Sequence, residues 1–287
     1  MLVSTPLGNL GDISARALAT LRQADLILCE DTRVTARLCQ AFAIHRPLSA
    51  LHDHNEAERI PDLLRRLEGG QRIALVSDAG TPLVSDPGYR LVRAAIAAGL
   101  RVNAVPGANA ALMALTLSGL PPQPFLFLGF PPPRGAARAR AFATLRGLEN
   151  AGLHATLIWH EAPHRLAATL ADLAAAFGDR AAAVARELTK RFEEVRRDRL
   201  LALAAHYASH PARGEITLVI APSADTRAEV TEGDLDAILN EALGKETLKA
   251  AVARASALTG LPRGLVYTRA LILRDARALA PRDREDT

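Results

Sequence analysis

The sequence predicts an α/β protein with two α/β domains and a small helical C-terminal appendage. Its 287 residues exceed the usual length of one α/β domain, and 49% of them are hydrophobic, which is enough for a large core. Short apolar, β-branched runs alternate with segments rich in alanine and leucine, the pattern of an α/β fold with covered sheets. After Pro222 this alternation stops and the pattern becomes purely helical.

The first part of the chain is predicted to alternate strands with helices. The apolar runs give the strands, and each helix follows a turn signal rich in Gly, Pro, Asp or Asn. The predicted strands are 26–29, 72–77, 101–105 and 125–130, and the predicted helices are 13–22, 34–41, 61–68, 88–98 and 108–117.

A proline-rich connection at 119–124 marks the predicted boundary between two domains, 1–118 and 119–224. The second domain is predicted to hold strands 154–159, 181–186 and 215–221 and helices 165–177 and 200–209. Residues 225–287 form the predicted appendage, in which two apolar stripes indicate packed helices. The stripes are Leu235, Ile238, Leu239, Ala242 and Leu243, then Leu248, Val252 and Ala255.

Composition excludes several classes of protein. Charged residues interrupt every hydrophobic stretch before the roughly 20 residues that a membrane helix needs, and the N-terminus lacks a signal-peptide pattern. We therefore expect a soluble, cytoplasmic protein with no membrane partner. Cys29 and Cys39 are too few for a disulfide framework or a cysteine zinc site, and we expect both to be buried. The net charge of +4 is a weak indication of nucleic-acid binding.

Three loops rich in Gly, Pro and Asp follow predicted strands, where open α/β sheets bind ligands. They are 5–12 (Thr-Pro-Leu-Gly-Asn-Leu-Gly-Asp), 77–88 (Ser-Asp-Ala-Gly-Thr-Pro, then Ser-Asp-Pro-Gly) and 106–110 (Pro-Gly-Ala-Asn-Ala). Glycines permit close approach of the backbone to a ligand, and Asp78 could accept hydrogen bonds from an amine or a ribose. Capped turns explain the same residues, although the length of the 77–88 loop favours a cofactor site.

Charged clusters also follow strands. Residues 160–165 (His-Glu-Ala-Pro-His-Arg) combine imidazoles, a carboxylate and a guanidinium, and 186–194 form a second dense set. Residues 30–33 (Glu-Asp-Thr-Arg) add a carboxylate and a guanidinium. Ion-paired surface loops and a helix cap remain alternative interpretations. At 52–54 (His-Asp-His) no further ligands complete a zinc set, so we predict no metal.

Taken in order, the segments 5–12, 30–33, 77–82, 106–110, 160–165 and 186–190 resemble one family along nearly the whole chain. That family is the ribosomal RNA small-subunit methyltransferase I family. The resemblance implies the tetrapyrrole-methylase fold, with S-adenosylmethionine in the cleft between two α/β domains, usually in a homodimer. It implies 2′-O-methylation of a cytidine in the decoding region of 16S ribosomal RNA in the small subunit. Relatives have a longer first strand than Met1–Ser4, which leaves open a start upstream of Met1.

The resemblance assigns roles to individual residues. Those expected to bind the cofactor are Pro6, Asp78, Ala79, Gly80, Thr81, Asn109, Ala110, Trp159, His160, Glu187 and Thr217. A ribose hydroxyl is a weak acid, so a carboxylate or a neutral amine beside it would help to remove its proton. The candidates are Glu187, Lys190, Asp31 and Glu161. Basic residues expected to contact RNA phosphates are Arg33, Arg165, Arg191, Lys245 and Lys249, with Arg254 and Arg263 in the same appendage.

Two other functions remain open on the same fold. A tetrapyrrole methyltransferase would also suit arginines, because its substrate is acidic. A non-catalytic RNA-binding assembly factor could retain the fold without the reaction. The helical appendage and the segments 78–82 and 161–165 favour the ribosomal RNA enzyme.

Overall fold

A computed structural model describes residues 1–223, 232–259 and 261–279 of the chain. Their contacts divide the chain into two compact units, Met1–Ser223 and Ala224–Thr287. The first unit contains two five-stranded sheets with helices packed on them, and the second is helical. No helix in the described ranges is long and apolar enough to cross a membrane.

The first sheet is wholly parallel, with strand order β3-β2-β4-β1-β5. Its strands are β1 (Leu2–Val3), β2 (Leu26–Cys29), β3 (Leu48–Ala50), β4 (Ile73–Val76) and β5 (Ala104–Val105). The helices that connect them are α1 (Ala15–Gln23), α2 (Thr32–Ala41), α3 (Glu56–Glu68) and α4 (Tyr89–Ala97). Every residue of β2 and β4 is buried, since the sheet has a hydrophobic core on each face. Cys29 and Cys39 lie in one of these cores, as expected.

Helix α5 (Ala110–Ser118) carries the chain from the first sheet to the second. The second sheet has the order β6-β7-β10-β8-β9 and is antiparallel except for its β6–β7 pair. Its strands are β6 (Phe125–Phe127), β7 (Thr156–Glu161), β8 (Ala181–Arg186), β9 (Glu194–Arg199) and β10 (Ile216–Ile220). Helices α6 (Gly135–Asn150), α7 (Leu166–Phe177) and α8 (Leu200–Ser209) pack on one face, and α5 packs on the other.

The second unit consists of helices α9 (Glu232–Leu243), α10 (Leu248–Thr259) and α11 (Arg263–Leu279). Members of both predicted apolar stripes form its core together with Val266 and Ala270 of α11. The helical appendage is therefore confirmed within the described residues. The ends of the predicted appendage, 225–231 and 280–287, lie outside them.

Several predicted boundaries differ from the structure. Helix α3 begins at Glu56, five residues before Pro61, so the proline predicted to start the helix lies inside it, where it cannot donate the usual backbone hydrogen bond. The strand predicted at 101–105 is reduced to β5, and the one predicted at 125–130 is reduced to β6. The strand predicted at 154–159 is shifted to β7, which places His160 and Glu161 on the strand itself. The predicted division at 118 coincides with the passage between sheets, and as a domain boundary it stays a prediction.

Candidate active site

A cavity of about 340 Å³ lies where the carboxyl ends of β1 and β4 face the second sheet. The first sheet contributes Leu7 and two segments of the loop after β4, 78–79 and 84–86. Helix α5 and the second sheet contribute the opposite wall. That wall consists of Ala110, Phe130, His160, Glu161, Ala162, Pro163, Ala185, Leu188, Gly214, Glu215, Ile216 and Thr217. Its size and its mixture of apolar and polar groups suit a small-molecule site.

The wall on the second sheet is set by strand register. Thr217 of β10 pairs with His160 of β7 on one side and with Ala185 of β8 on the other, so all three side chains point to the same face. The His160 Nδ1 atom lies 3.1 Å from the Thr217 hydroxyl oxygen, and the rings of Phe127 and Phe130 pack against the imidazole. Burial lowers the pKa of His160 below its usual value. The His160 imidazole is therefore neutral at neutral pH.

The loops after β1 and β4 are tied together by backbone hydrogen bonds. The Thr5 N–H donates to the Gly80 carbonyl (2.8 Å), and the Gly80 N–H donates to the Thr5 carbonyl (3.1 Å). Gly80 has φ +84°, a left-handed conformation that favours glycine. Thr81 donates to the Ala108 carbonyl, and Asn109 caps α5 through the Leu112 N–H. Pro6, Gly80, Thr81 and Asn109 thus shape the loops without lining the cavity.

The wall on the first sheet is acidic. Asp78 accepts a hydrogen bond from the Asp31 N–H at 3.0 Å, and burial raises the pKa of its carboxyl. Desolvation and the neighbouring Asp78 also raise the pKa of Glu30, which follows β2. Burial, with Glu30 and Asp78 nearby, raises the pKa of Asp86 to about 7. Carboxylates gathered at one wall favour a ligand that carries positive charge.

Glu187 and Lys190 form an ion pair beside the cavity. Glu187 has φ +50°, and its Oε1 atom accepts hydrogen bonds from Lys190 Nζ (2.8 Å) and from the Glu215 N–H (3.0 Å). These bonds lower the pKa of Glu187, while the contacts to Glu187 and Glu215 outweigh burial and raise the pKa of Lys190. The Lys190 stem packs against Gly8, where an added Cβ would clash with it. The pair stays charged and joins the first loop to the second sheet.

The other two candidates for the general base, Glu161 and Asp31, are also held by hydrogen bonds and ion pairs. Glu161 is buried and accepts hydrogen bonds from the Ala162 N–H and the Thr169 hydroxyl, and its Oε1 atom lies 2.6 Å from Arg165. Asp31 caps α2 and pairs with Arg33, and the bonds from Arg33 lower the pKa of Asp31 to about 2. Both carboxylates are thus already held by partners within the protein.

Some of the residues predicted to bind the cofactor line the cavity, and others lie outside it. Those that line the cavity are Asp78, Ala79, Ala110, His160 and Thr217. Trp159 points to the opposite face of the second sheet, where its indole packs between Phe142 and Phe177 in the core. Of the predicted RNA contacts, Arg165 is held by Glu161, whereas Arg33 and Arg191 are exposed. Lys245 and Lys249 are exposed in the second unit.

Sequence reasoning placed Asp86 in a candidate cofactor loop without naming it as a site residue, and it missed the segment Gly214–Glu215. The Ser-Asp-Pro-Gly motif at 85–88 is typical of a helix start, and α4 does begin at Tyr89. The available signal was the length of the loop after β4, which is unusual for a simple turn. In this loop Leu83 and Ser85 have φ +72° and +66°. Non-glycine residues in that region cluster at functional sites.

The site fits S-adenosylmethionine on chemical grounds. Its apolar residues Leu7, Val84 and Leu188 can cover a flat base or a thioether chain, and its acidic wall suits the donor's sulfonium and ammonium charges. Gly214, with φ +83°, leaves no room for a side chain, because a Cβ there would meet the Glu187 carboxylate. Within the described ranges, no three His, Cys, Asp or Glu side chains are arranged to hold a metal ion.

Comparison with known proteins agrees with this architecture. Residues 1–204 match the Tetrapyrrole (Corrin/Porphyrin) Methylases family, and residues 229–274 match the RsmI C-terminal HTH domain. Solved structures with a similar fold include the methyltransferase CobJ (TM-score 0.57, 18% identity) and diphthine synthase (TM-score 0.56, 18% identity). They cover 77% and 76% of this chain, and 93% and 89% of their own chains. At such identities the likeness concerns the fold alone.

Curated relatives are much more similar in sequence. A ribosomal RNA small subunit methyltransferase I of Mesorhizobium japonicum is 46% identical, with 96% of this chain and 92% of the relative covered. The protein of the same name from Micromonospora olivasterospora is 48% identical (93% and 84% covered), and that from Pseudomonas aeruginosa is 44% identical (94% and 95%). With both family matches in the same chain, this protein belongs to the ribosomal RNA small subunit methyltransferase I family, within the tetrapyrrole methylases.

Proposed function

We propose that this protein transfers a methyl group from S-adenosylmethionine to the ribose 2′-oxygen of a cytidine in the decoding region of 16S ribosomal RNA. The observation that carries the proposal is the cavity between the two sheets, with its acidic wall, in a chain of this family. Ribosomal RNA methylation is the activity that the relatives' names state. The identity of the nucleotide as a cytidine, and of the methylated atom as the 2′-oxygen, is a more specific proposal than these names state.

The donor would be held by the residues that line the cavity. Asp78 would face its positive groups, while Ala79, Ala110 and Leu188 would cover its apolar parts. The neutral His160 and the Thr217 hydroxyl would supply hydrogen bonds to a base or a ribose on the opposite wall. Glu187 and Lys190 would act indirectly, by fixing the Glu215 backbone and the first loop around the donor.

Methyl transfer from a sulfonium is an in-line displacement, and the bound donor supplies the electrophilic methyl group. The protein's part is to align the ribose oxygen with that methyl group, to exclude water and to accept the hydroxyl proton. The walls of the cavity belong to two separate sheets, so both sheets must keep their spacing for this alignment. Positioning then accounts for much of the rate.

Contacts to the small ribosomal subunit would come from basic side chains outside the cavity. Arg33 and Arg191 lie exposed on the first unit, and Lys245 and Lys249 lie exposed on the helical unit. Arginine and lysine bind phosphates through charge-assisted hydrogen bonds. The match of residues 229–274 to an HTH domain supports a role of the helical unit in binding nucleic acid.

The function is tested by incubating the purified protein and radiolabelled S-adenosylmethionine with small ribosomal subunits from cells that lack this methylation. We expect label on the ribose 2′-oxygen of one decoding-region cytidine after nuclease mapping. Label on another nucleotide position would overturn the finer proposal and leave the ribosomal RNA methyltransferase. Label on a tetrapyrrole precursor but on no RNA would replace the proposal with the activity of the distant structural relatives. No label on either substrate would leave a non-catalytic binding protein.

We also propose that the protein acts as a homodimer. Large apolar side chains such as Phe192 (65% exposed) and Leu201 (56% exposed) remain on the surface of the first unit. Exposed apolar residues of this size are common where chains associate. Light scattering coupled to size-exclusion chromatography should give twice the 30.6 kDa chain mass, and a single-chain mass would contradict the dimer.

A further inference from the structure

Asp86 lines the cavity but is not among the residues assigned to the site by family resemblance. It lies in the loop between β4 and α4, directly after Ser85, whose left-handed φ of +66° turns the chain at this point. Leu83, two residues earlier, is also left-handed at φ +72°. The left-handed conformation is energetically costly for a non-glycine residue and persists only where the surrounding structure enforces it. Residues with such strained backbones cluster at active sites.

Asp86 differs from every other candidate carboxylate in its partners. Asp31 is paired with Arg33, Glu161 with Arg165 and Glu187 with Lys190. Within the described part of the chain, Asp86 makes no side-chain hydrogen bond and no ion pair. A carboxylate that is partly buried, unpaired and in a cavity is available to bind a proton from a ligand.

The charged groups around Asp86 come from several elements. Glu30 after β2 and Asp78 after β4 lie close enough to repel its negative form. From the second sheet, His160, Glu161 and Glu215 line the same cavity. Glu161 is neutralised by Arg165, and Glu215 lies 3.1 Å from Lys190. The net effect of burial and of Glu30 and Asp78 is that the pKa of Asp86 is raised to about 7, in the range that suits a general base at neutral pH.

We propose that Asp86 is the general base of the methyl transfer, accepting the proton of the ribose 2′-hydroxyl. This inference rests on the proposed function. In the step, the 2′-oxygen forms a bond to the methyl carbon, and the bond from that carbon to sulfur breaks with its electron pair on sulfur. The hydroxyl proton passes to an Asp86 carboxylate oxygen and leaves as product departs. The reaction needs no further reactant.

The test uses the full-length Asp86→Asn variant, which keeps the shape of the side chain and removes its basicity. We expect single-turnover methylation of small subunits at saturating donor to fall by about 100-fold or more. The wild-type rate should rise with pH through about 7 and level off at higher pH, where Asp86 is ionised, and the rate of the variant should lose that dependence. The affinity for S-adenosylhomocysteine, measured by calorimetry without RNA, should change less than about threefold, because a proton acceptor is not a donor-binding group.

Controls separate this inference from general effects of charge and from failure of the function itself. Asp62→Asn removes an exposed carboxylate of α3 and should keep the wild-type rate and pH profile. A rate for Asp86→Asn within about threefold of wild type would overturn the inference. A loss of S-adenosylhomocysteine affinity as large as the loss of rate would also overturn it, and would make Asp86 a donor ligand. If wild type places no methyl group on a ribose, the proposed function fails instead.

Discussion

Asp78 illustrates how one side chain serves both the fold and the ligand. Its Oδ1 atom accepts the Asp31 N–H, which fixes the start of α2 against the loop after β4. The same carboxyl lines the cavity, where a positively charged donor would offset the burial that raises its pKa. The two roles can be separated, because asparagine keeps an acceptor for the Asp31 N–H and removes the charge.

Asp78→Asn is therefore expected to fold and to bind S-adenosylmethionine about 10- to 100-fold more weakly, since a hydrogen bond to a charged group contributes about 1.5–3 kcal/mol. Asp78→Ala should bind at least as weakly and should also lower the free energy of unfolding, because it leaves the Asp31 N–H without its acceptor. Calorimetry and urea unfolding measure the two effects. Asp62→Asn is the matched surface control, and equal donor affinity in Asp78→Asn and wild type would exclude the charge from donor binding.

Asp86 also predicts a pH dependence of stability. Its folded-state pKa of about 7 exceeds the ordinary value of 3.8, so the folded protein holds a proton that the unfolded chain has lost. The contribution of Asp86 to stability is therefore complete below about pH 4 and is lost as pH rises toward 7. Asp86→Asn cannot ionise. It should equal wild type near pH 4 and exceed its free energy of unfolding above pH 7, by an amount on the order of 2–4 kcal/mol.

Urea unfolding at several pH values measures this difference. The fluorescence of Trp159, which is the only tryptophan and is buried in the second sheet's core, reports on the first unit. A difference between Asp86→Asn and wild type that stays constant from pH 4 to pH 8 would show that Asp86 titrates normally. If Asp86→Asn is more stable and less active than wild type, the carboxylate increases activity and lowers stability, a trade-off that is common at active sites.

At the scale of elements, a buried ion pair fastens α6 to the second sheet. Glu149, near the end of α6, has a 1% exposed side chain and accepts two hydrogen bonds from Arg180, at 2.6 and 2.7 Å. Arg180 immediately precedes β8. Burial alone would raise the pKa of Glu149, but the bonds from Arg180 and Arg146 bring it below the ordinary value. The pair therefore stabilises the fold at neutral pH.

Removing one partner should leave a buried guanidinium without its counter-charge. Glu149→Gln is expected to lower the free energy of unfolding at pH 7 by about 3–5 kcal/mol. Because the pKa of Glu149 is lowered in the folded state, its stabilising effect is present above the unfolded-state pKa and is lost as pH falls through the folded-state pKa. The variant and wild type should thus converge in acid. Glu58→Gln, on the exposed face of α3, is the control, and equal destabilisation by both would contradict the argument.

Helices and strands with a strong local hydrophobic pattern could be predicted from sequence. Those whose formation depends on contacts with the rest of the fold could not. The apolar runs of β2, β4 and β10 are buried on both faces and were predicted within one or two residues. Strand β9 was not predicted, because its sequence Glu-Val-Arg-Arg-Asp-Arg is charged and exposed, as suits the edge of a sheet. Strand β3 is only three residues long. Helix α6 was also missed, since its arginine-rich sequence hides the buried Phe142.

The loops that form the candidate site could be predicted from sequence, but the directions and pairing of its side chains could not. Loops after β1, β4 and β7 were identified because Gly, Pro and charged residues follow apolar strands there. Sequence alone could not show that Trp159 points away from the cavity while its neighbour His160 points toward it, because a shift of one residue in the strand reverses the faces. It also could not show which carboxylates are paired. The pairing is what distinguishes Asp86 from Glu187, Glu161 and Asp31.

At the scale of the whole molecule, the cavity and the helical region that matches an HTH domain lie in different units. The cavity belongs wholly to the first unit, Met1–Ser223. In the second unit, Arg254 lies within 2.9 Å of Glu246 and Arg269 within 2.6 Å of Asp236, whereas Lys249 is exposed on α10. Lys245, 67% exposed, pairs only with the exposed Glu241 among the described ion pairs. Both lysines are thus exposed and placed to contact phosphates.

The double variant Lys245→Gln/Lys249→Gln tests this division. RNA binding that neutralises phosphates weakens with salt, with a slope of roughly 0.7–0.9 per phosphate contact in a plot of log affinity against log salt. If both lysines contact phosphates, the slope for a decoding-region RNA should fall by about 1.5, and affinity should fall most at low salt. Affinity for S-adenosylhomocysteine should not change, since the cavity lies in the other unit.

Fluorescence anisotropy across a series of KCl concentrations measures the slope, and calorimetry measures donor binding. The matched control is Arg65→Gln/Arg66→Gln, which removes the same charge from the outer face of α3, where no RNA contact is proposed. If both double variants lower the slope equally, RNA responds to overall charge and the helical unit has no specific role. If only the lysine variant lowers it, the helical unit contacts the RNA while the first unit binds the donor.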